Sequence, residues 1–219
     1  VTEAIERLAT VTAGLERACR DARRTTLPRL VAVSKTFAAD DIRPLIAAGQ
    51  RHFGENRVQE AQGKWPALMA ETPGICLHLV GQLQSNKAAE AVALFDVIHS
   101  VDRPSLVTAL AKAQAAAGKR PDCYLQVNIG DEAQKGGCAL ANLPALLAQA
   151  RSAGLNIIGL MCVPPADVEP APYFALLAEQ ARRLELDGLS MGMSGDYETA
   201  ALLGSTVVRV GSALFGSRG

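Results

Sequence analysis

RLVAVSKTFAADDIRPLIAAGQRHFGEN, residues 29–56, contains the unit from which the rest of the chain is built. A short apolar run (29–35) is followed by an Ala-rich, charged stretch that ends at Gly49, and then by a second short run, HFGEN (52–56). That order reads as strand, helix, strand. Apolar runs of the same kind recur as CLHLVG (76–81), VIHSV (97–101), DCYLQVN (122–128), NIIGLMCV (156–163), GLSMGMS (188–194) and TVVRVGS (206–212). Their ends fall at Lys35, Asn56, Gly81, Asp102, Asn128, Val163, Ser194 and Gly211, spaced 17 to 35 residues apart, which is room for one strand and one helix each time. A leading segment with Ile5, Leu8, Leu15 and Cys19 at near-helical spacing supplies a further amphipathic helix, placed to cover the gap between the last strand and the first. The inventory predicts an α/β protein: a single-domain (β/α)8 TIM barrel over residues 1–219 with an extra N-terminal helix. An open doubly wound sheet is the alternative, but it normally uses fewer strands and brings a phosphate loop, and neither GxGxxG nor GxxxxGK[ST] occurs. PPADVEPAP (164–172) reads as a loop between strand 6 and its helix.

Composition agrees with this architecture. Of 219 residues, 49% are hydrophobic but only 4% aromatic, so the core must be built from Ala, Val, Leu and Ile. Lys plus Arg and Asp plus Glu are equal at 22 each, which removes the cationic footprint of a protein that neutralises many phosphates. No nucleic-acid or membrane partner is therefore expected. Five cysteines without a CxxC pair disfavour a disulfide scaffold or a zinc finger. The charged N-terminal stretch has no signal-peptide character and no run approaches the roughly 18 apolar residues of a membrane span. The expectation is a soluble cytoplasmic protein whose cysteines act as small buried hydrophobes.

A barrel of this kind carries its site at the C-terminal ends of the strands, with phosphate often held after strands 7 and 8. Lys35 ends the first run with Val31 and Val33 on the same face, so its amine is aimed at the barrel mouth over an apolar floor. Desolvation there favours the neutral amine that forms a Schiff base, although a solvated strand-end lysine fits the run equally well. GMSGD (192–196) and VGSALFG (210–216) flank the short YETAALLG segment, and two facing Gly/Ser turns would offer N–H groups and hydroxyls to a phosphate. Arg209 interrupts VVRVG on an inward face and needs an acceptor, from either an internal carboxylate or a ligand. Asn56 closes HFGEN, where it can orient a ligand ring or satisfy a loop carbonyl. His52, His78 and His99 fall on strands 2, 3 and 4 without HxH or HExxH spacing, and read as satisfied strand histidines, with no metal site expected. A Schiff-base lysine, a phosphate cradle and an inward arginine on one rim fit pyridoxal 5′-phosphate (PLP). A phosphosugar imine in an aldolase-type barrel would use the first two equally well.

The segments VAVSKTF, AGQRHFGENRVQE, HLVGQLQSNK, IHSVDR, QVNIGDEAQKGG, GLMCVPP, LSMGMSGDYETA and GSTVVRVGSALFG run nearly end to end, and by them the chain resembles the pyridoxal phosphate homeostasis protein family, relatives of the N-terminal barrel of alanine racemase. The resemblance implies a fold-type III PLP protein in which Lys35 holds the cofactor as a Schiff base. It implies that Ser194, Gly211 and Ser212 hold the phosphate, that Arg209 faces the pyridine nitrogen, and that Asn56 lies beside the cofactor, with His78 and Met161 at neighbouring pocket positions. Two departures stand out: KTFAAD lacks the proline that often follows the family's lysine, and Ser212 stands where Thr is common.

The implied function is intracellular PLP homeostasis, the buffering of PLP and its delivery to PLP-dependent apo-enzymes, by a monomer without an established turnover. An arginine at the pyridine nitrogen disfavours ring protonation and weakens the ring as an electron sink. The second proton-transferring group that alanine racemase draws from another domain has no counterpart once 219 residues are assigned to a barrel. A PLP-dependent amino-acid racemase is the alternative.

Overall fold

The computed structural model describes residues 2–216 and closes eight parallel strands into a barrel in sequential order. The strands are β1 Arg29–Val33, β2 His52–Glu55, β3 Cys76–Leu79, β4 Val97–Val101, β5 Asp122–Val127, β6 Asn156–Cys162, β7 Gly188–Ser190 and β8 Val207–Val210. Closure is by β1, which pairs with β2 on one side and with β8 on the other, Val31 opposite Arg209. The helices are α1 Thr2–Asp21, α2 Ala39–Ala47, α3 Val58–Glu71, α4 Ala88–Leu94, α5 Pro104–Ala117, α6 Leu143–Ser152, α7 Ala171–Arg183, α8 Tyr197–Leu202 and α9 Ser212–Phe215. The (β/α)8 expectation is met. The breaker-rich stretch after β6 is irregular up to Pro170, after which α7 begins.

Alternation divides each strand between two cores. Outward residues such as Ala32, Phe53, Leu77, Ile98, Leu125, Leu160 and Val208 are fully buried, packed against helix residues that include Ile42, Trp65, Leu106 and Leu177. Each large apolar side chain sealed in this layer is worth about 1.5–3 kcal/mol. Inside the barrel, Val31, Val97, Tyr124, Met161 and Val207 form a separate cluster. The inner layer is otherwise polar: His78, His99, Ser190 and Arg209 are buried there.

Helices α8 and α9 are too short to cover the seam between β8 and β1, and α1 packs against both. Its buried stripe is Val11, Leu15, Ala18 and Cys19, and Arg17 pairs with Glu198 at 2.8 Å. Beyond its end, Arg24 donates to the carbonyls of Ala201 and Ser205 at 2.6 and 2.8 Å. The leading helix thus does what the spacing predicts. The strands end one to four residues before the apolar runs do, among them β1 at Val33 rather than Lys35 and β7 at Ser190 rather than Ser194. In both cases a left-handed residue follows closely, Thr36 at φ 69° and Gly192 at φ 97°, and turns the chain out of the ladder. None of the described helices is long and apolar enough to cross a membrane.

Candidate functional site

Lys35 sits in the turn that leaves β1, and the turn is held from below. The Ser34 N–H continues the ladder to the Gly54 carbonyl at 2.9 Å, and the Ser34 hydroxyl donates to Glu55 Oε1 at 2.7 Å. Glu55 is wholly buried and also accepts from Trp65 Nε1 at 2.9 Å. Lys64 of α3 lies 2.8 Å from the same carboxylate, and its ammonium donates to the carbonyls of Ser34 and Phe37 at 2.8 and 3.0 Å. The N–H of Thr36 donates to the Glu60 carboxylate. A β-branched residue in the left-handed region is strained, and it persists where its surroundings over-determine it. Two carbonyl contacts from Lys64, itself fixed by the Glu55 and Glu60 carboxylates, and the Thr36 N–H accepted by Glu60 do so here, leaving Lys35 half-buried between two openings. Among the described residues its amine makes no ion pair and no side-chain hydrogen bond.

One opening, about 250 Å³, is lined by Lys35, Thr36, Asn56, Arg57 and Glu60. The other, about 70 Å³, is lined by Val33, Lys35, Phe37, Gly211, Ser212 and Gly216. Lys35 is common to both, so the structure brings it together with Asn56 on one side and with Gly211 and Ser212 on the other. Asn56 is positioned by close backbone approach: a Cβ at Gly81 would lie 2.3 Å from the Asn56 carbonyl oxygen, which leaves glycine as the residue that fits.

The turns after β7 and β8 meet at Ser194. Its Oγ accepts the N–H groups of Gly211 and Ala213, each at 3.2 Å, at the start of α9. An oxygen that already receives two donors turns its own O–H elsewhere, and among the described residues that proton has no acceptor. The turn is set by Gly192, where a side chain would strain φ and its Cβ would fall 2.5 Å from Cβ of Ala200. Hydroxyls of Ser194 and Ser212 that have no acceptor among the described residues, together with first-turn N–H groups of a helix, are the donor set that a phosphate accepts from.

Arg209 is buried, with Nη1 donating to Ser190 Oγ at 2.6 Å and Nη2 to the Cys162 carbonyl at 2.8 Å. Of the two partners the sequence allows, the carboxylate is not present among the described residues. Burial lowers its pKa from the ordinary arginine range, but a guanidinium does not lose its proton in a protein. A buried cation with two neutral acceptors and further N–H groups to place is suited to an uncharged ring nitrogen or another ligand acceptor.

His78 and Met161, expected at neighbouring pocket positions, are buried in the barrel interior and line neither opening at Lys35. His78 Nδ1 lies 3.0 Å from His99 Nε2, and His99 Nδ1 lies 2.8 Å from Ser190 Oγ, the atom that also accepts from Arg209. Desolvation pushes the His78 imidazole down to about 3 and holds His99 well below its usual range, so both are neutral. Glu55, Lys64, Ser190 and His99 therefore support the site without being sequence candidates. Ser190 and His99 each face inward on a strand whose apolar pattern hides them, and the distance between Glu55 and Lys64 follows no helical or strand period. A cavity of about 530 Å³ lies at the opposite, N-terminal end of the barrel and is lined by Arg29, Gln50, His52 and Tyr124 among others.

Residues 11–219 match the family model described as alanine racemase, N-terminal domain. The chain is 41% identical to the pyridoxal phosphate homeostasis protein of Pseudomonas aeruginosa, over 97% of this chain and 95% of that one. It is 42% identical to the protein of the same name from Deinococcus radiodurans, over 94% and 97%. The solved structure of PipY from Synechococcus elongatus with PLP bound aligns with a TM-score of 0.84 at 40% identity, over 97% of this chain and 100% of that one.

Proposed function

Since the chain belongs to the pyridoxal phosphate homeostasis protein family, we propose that it binds PLP covalently through Lys35 at the C-terminal mouth of the barrel, and that it buffers and delivers the cofactor. When bound, PLP supplies an aldehyde that condenses with an amine with loss of water. Lys35 is the amine. Ser194, Ser212 and the backbone of Gly211 and Ser212 take the phosphate, Arg209 faces the ring nitrogen, and Asn56 flanks the ring. The observation that carries this reading is the unpaired Lys35 amine lining one opening with Gly211 and Ser212. His78 and Met161 support the floor of the site from inside the barrel.

In this reading residues 1–219 form one cofactor-binding domain, which works in the cytoplasm as a monomer and hands PLP to apo-enzymes. Binding without turnover is supported by the residues around Lys35. Glu60, the one carboxylate lining either opening among the described residues, is occupied by the Thr36 N–H and by Lys64 at 3.1 Å. It is therefore poorly placed as the second proton-transferring group of a racemase. The test is an absorbance titration of the purified chain with PLP. A visible band that borohydride abolishes is expected, and it is lost in Lys35→Ala. A band of equal intensity in Lys35→Ala overturns the assignment, and exchange of Cα hydrogen from amino acids into deuterated water overturns binding without turnover.

A further inference from the structure

We propose that His52, Cys76 and His78 form a divalent metal site of the zinc class at the N-terminal end of the barrel, remote from Lys35. Three ligands of two types suited to zinc converge there from two adjacent strands. His52 opens β2 and pairs in register with Cys76, which opens β3, and His78 lies two residues further along β3 on the same inward face. His52 Nδ1 is 3.1 Å from His78 Nε2, Cys76 Sγ is 3.4 Å from the same nitrogen, and the three ligand atoms all lie within 4.8 Å of one another. A tetrahedral zinc with Zn–N of about 2.0–2.1 Å and Zn–S of about 2.3 Å separates its ligand atoms by about 3.3–3.6 Å. The two short separations are within a few tenths of an ångström of that arrangement.

Hydrogen bonding alone does not account for the cluster. One imidazole nitrogen is a donor or an acceptor for a single in-plane partner, yet His78 Nε2 is approached by both a ring nitrogen and a sulfur. A metal ion held by all three atoms would resolve the competition. The next shell is already built: with Nε2 on a metal, His78 Nδ1–H donates to His99 Nε2, and His99 Nδ1–H donates to Ser190 Oγ. Ligating histidines characteristically donate their second N–H in this way. Asp96, an acid close to Cys76, is otherwise engaged: it accepts the Leu77 N–H at 2.9 Å and pairs with Lys119 at 3.4 Å. Asp122, also near, accepts from Asn156 at 2.6 Å.

His52 lines the open 530 Å³ cavity, which gives an entry path and a water for the fourth position. Binding replaces the Cys76 S–H bond by a sulfur–metal bond, and the proton leaves to solvent, to which the half-buried Cys76 is open. Two nitrogens and a thiolate favour zinc over magnesium or calcium, which prefer oxygen ligands. The N-terminal face of such barrels serves stability rather than chemistry, so the ion would clip β2 to β3.

The test uses the full chain, freed of any histidine tag and reduced with borohydride after PLP loading, so that cofactor and metal can be assayed separately. Zinc is added, and competition against a chromogenic chelator is combined with X-ray absorption at the zinc edge. One zinc per chain is expected, with one sulfur at about 2.3 Å and two imidazoles. Cys76→Ser should lose the sulfur shell and weaken binding at least tenfold, His52→Asn should weaken it at least tenfold with the sulfur retained, and His99→Gln should weaken it roughly ten- to hundred-fold. A sulfur-free shell in the parent chain, a sulfur shell that survives in Cys76→Ser, or no zinc retained against the chelator overturns the proposal. Because Lys35 is at the other end of the barrel, none of these outcomes depends on the PLP reading.

Discussion

Replacing Lys64 by Met tests how the Lys35 turn is held. The Lys64 side chain is 10% exposed and the Glu55 carboxylate is wholly buried, so the substitution leaves a carboxylate in the core with no other ion-pair partner among the described residues. Breaking a buried pair from one side costs about 3–5 kcal/mol, because the remaining charge stays desolvated. For a domain of this size each kcal/mol lowers the midpoint of thermal unfolding by about 2–4 °C, so a fall of roughly 6–20 °C is expected. The carbonyls of Ser34 and Phe37 lose their donor in the same step, and the strained Thr36 conformation, worth about 1–2 kcal/mol on its own, loses part of its restraint. PLP affinity should therefore fall alongside stability. The decisive measurement is a double-mutant cycle by urea unfolding. Glu55→Gln keeps an oxygen for Ser34 and Trp65, so Glu55→Gln combined with Lys64→Met should recover much of the loss, with a coupling of about 0.5–3 kcal/mol. A cost below about 1 kcal/mol for Lys64→Met, or additive single effects, would refute the reasoning.

Other consequences can be measured on the same preparations. Arg209→Lys keeps the charge but loses the planar fork, and should cost about 1.5–3 kcal/mol in urea unfolding and weaken PLP binding in the absorbance titration. Unchanged affinity would remove Arg209 from the cofactor. Gly81→Ala places a methyl 2.3 Å from the Asn56 carbonyl and should destabilise by about 1–3 kcal/mol while shifting Asn56 away from the ring. Unaltered unfolding would mean that the approach relaxes without cost. His78 is held neutral down to about 3 and takes up its proton only on unfolding. The stability it contributes is complete above about pH 6.5 and declines by about 1.4 kcal/mol per pH unit as pH falls from there toward 3. Urea unfolding of the metal-free chain at pH 7 and pH 5 should show the decline, and His78→Gln should make it shallower while the part due to the equally neutral His99 remains.

Much of this molecule is legible along the chain. The strand-plus-helix period shows in the apolar runs because parallel strands buried on both faces read as continuous hydrophobic segments. The leading helix and the short α8 follow from spacing alone. The rim residues Lys35, Asn56, Ser194, Gly211 and Ser212 are legible because a barrel places every strand end at one mouth. What escapes is whatever depends on neighbouring strands. Glu55 and Lys64 meet because α3 folds back along β2, which no periodicity encodes. The histidines lack any motif when read along one strand, yet parallel register sets His52 beside Cys76 and puts His78 two residues on. Ligand convergence across a ladder is a property of register, and register is invisible until the barrel closes.

Peptide mapping by mass spectrometry tests the central claim most directly. The purified chain is loaded with PLP, reduced with borohydride and digested, and the modified residue is identified. A single pyridoxyl adduct on Lys35 is expected, absent from Lys35→Ala. An adduct on Lys64, Lys87 or Lys135 in place of Lys35, or one that persists in Lys35→Ala, would contradict it.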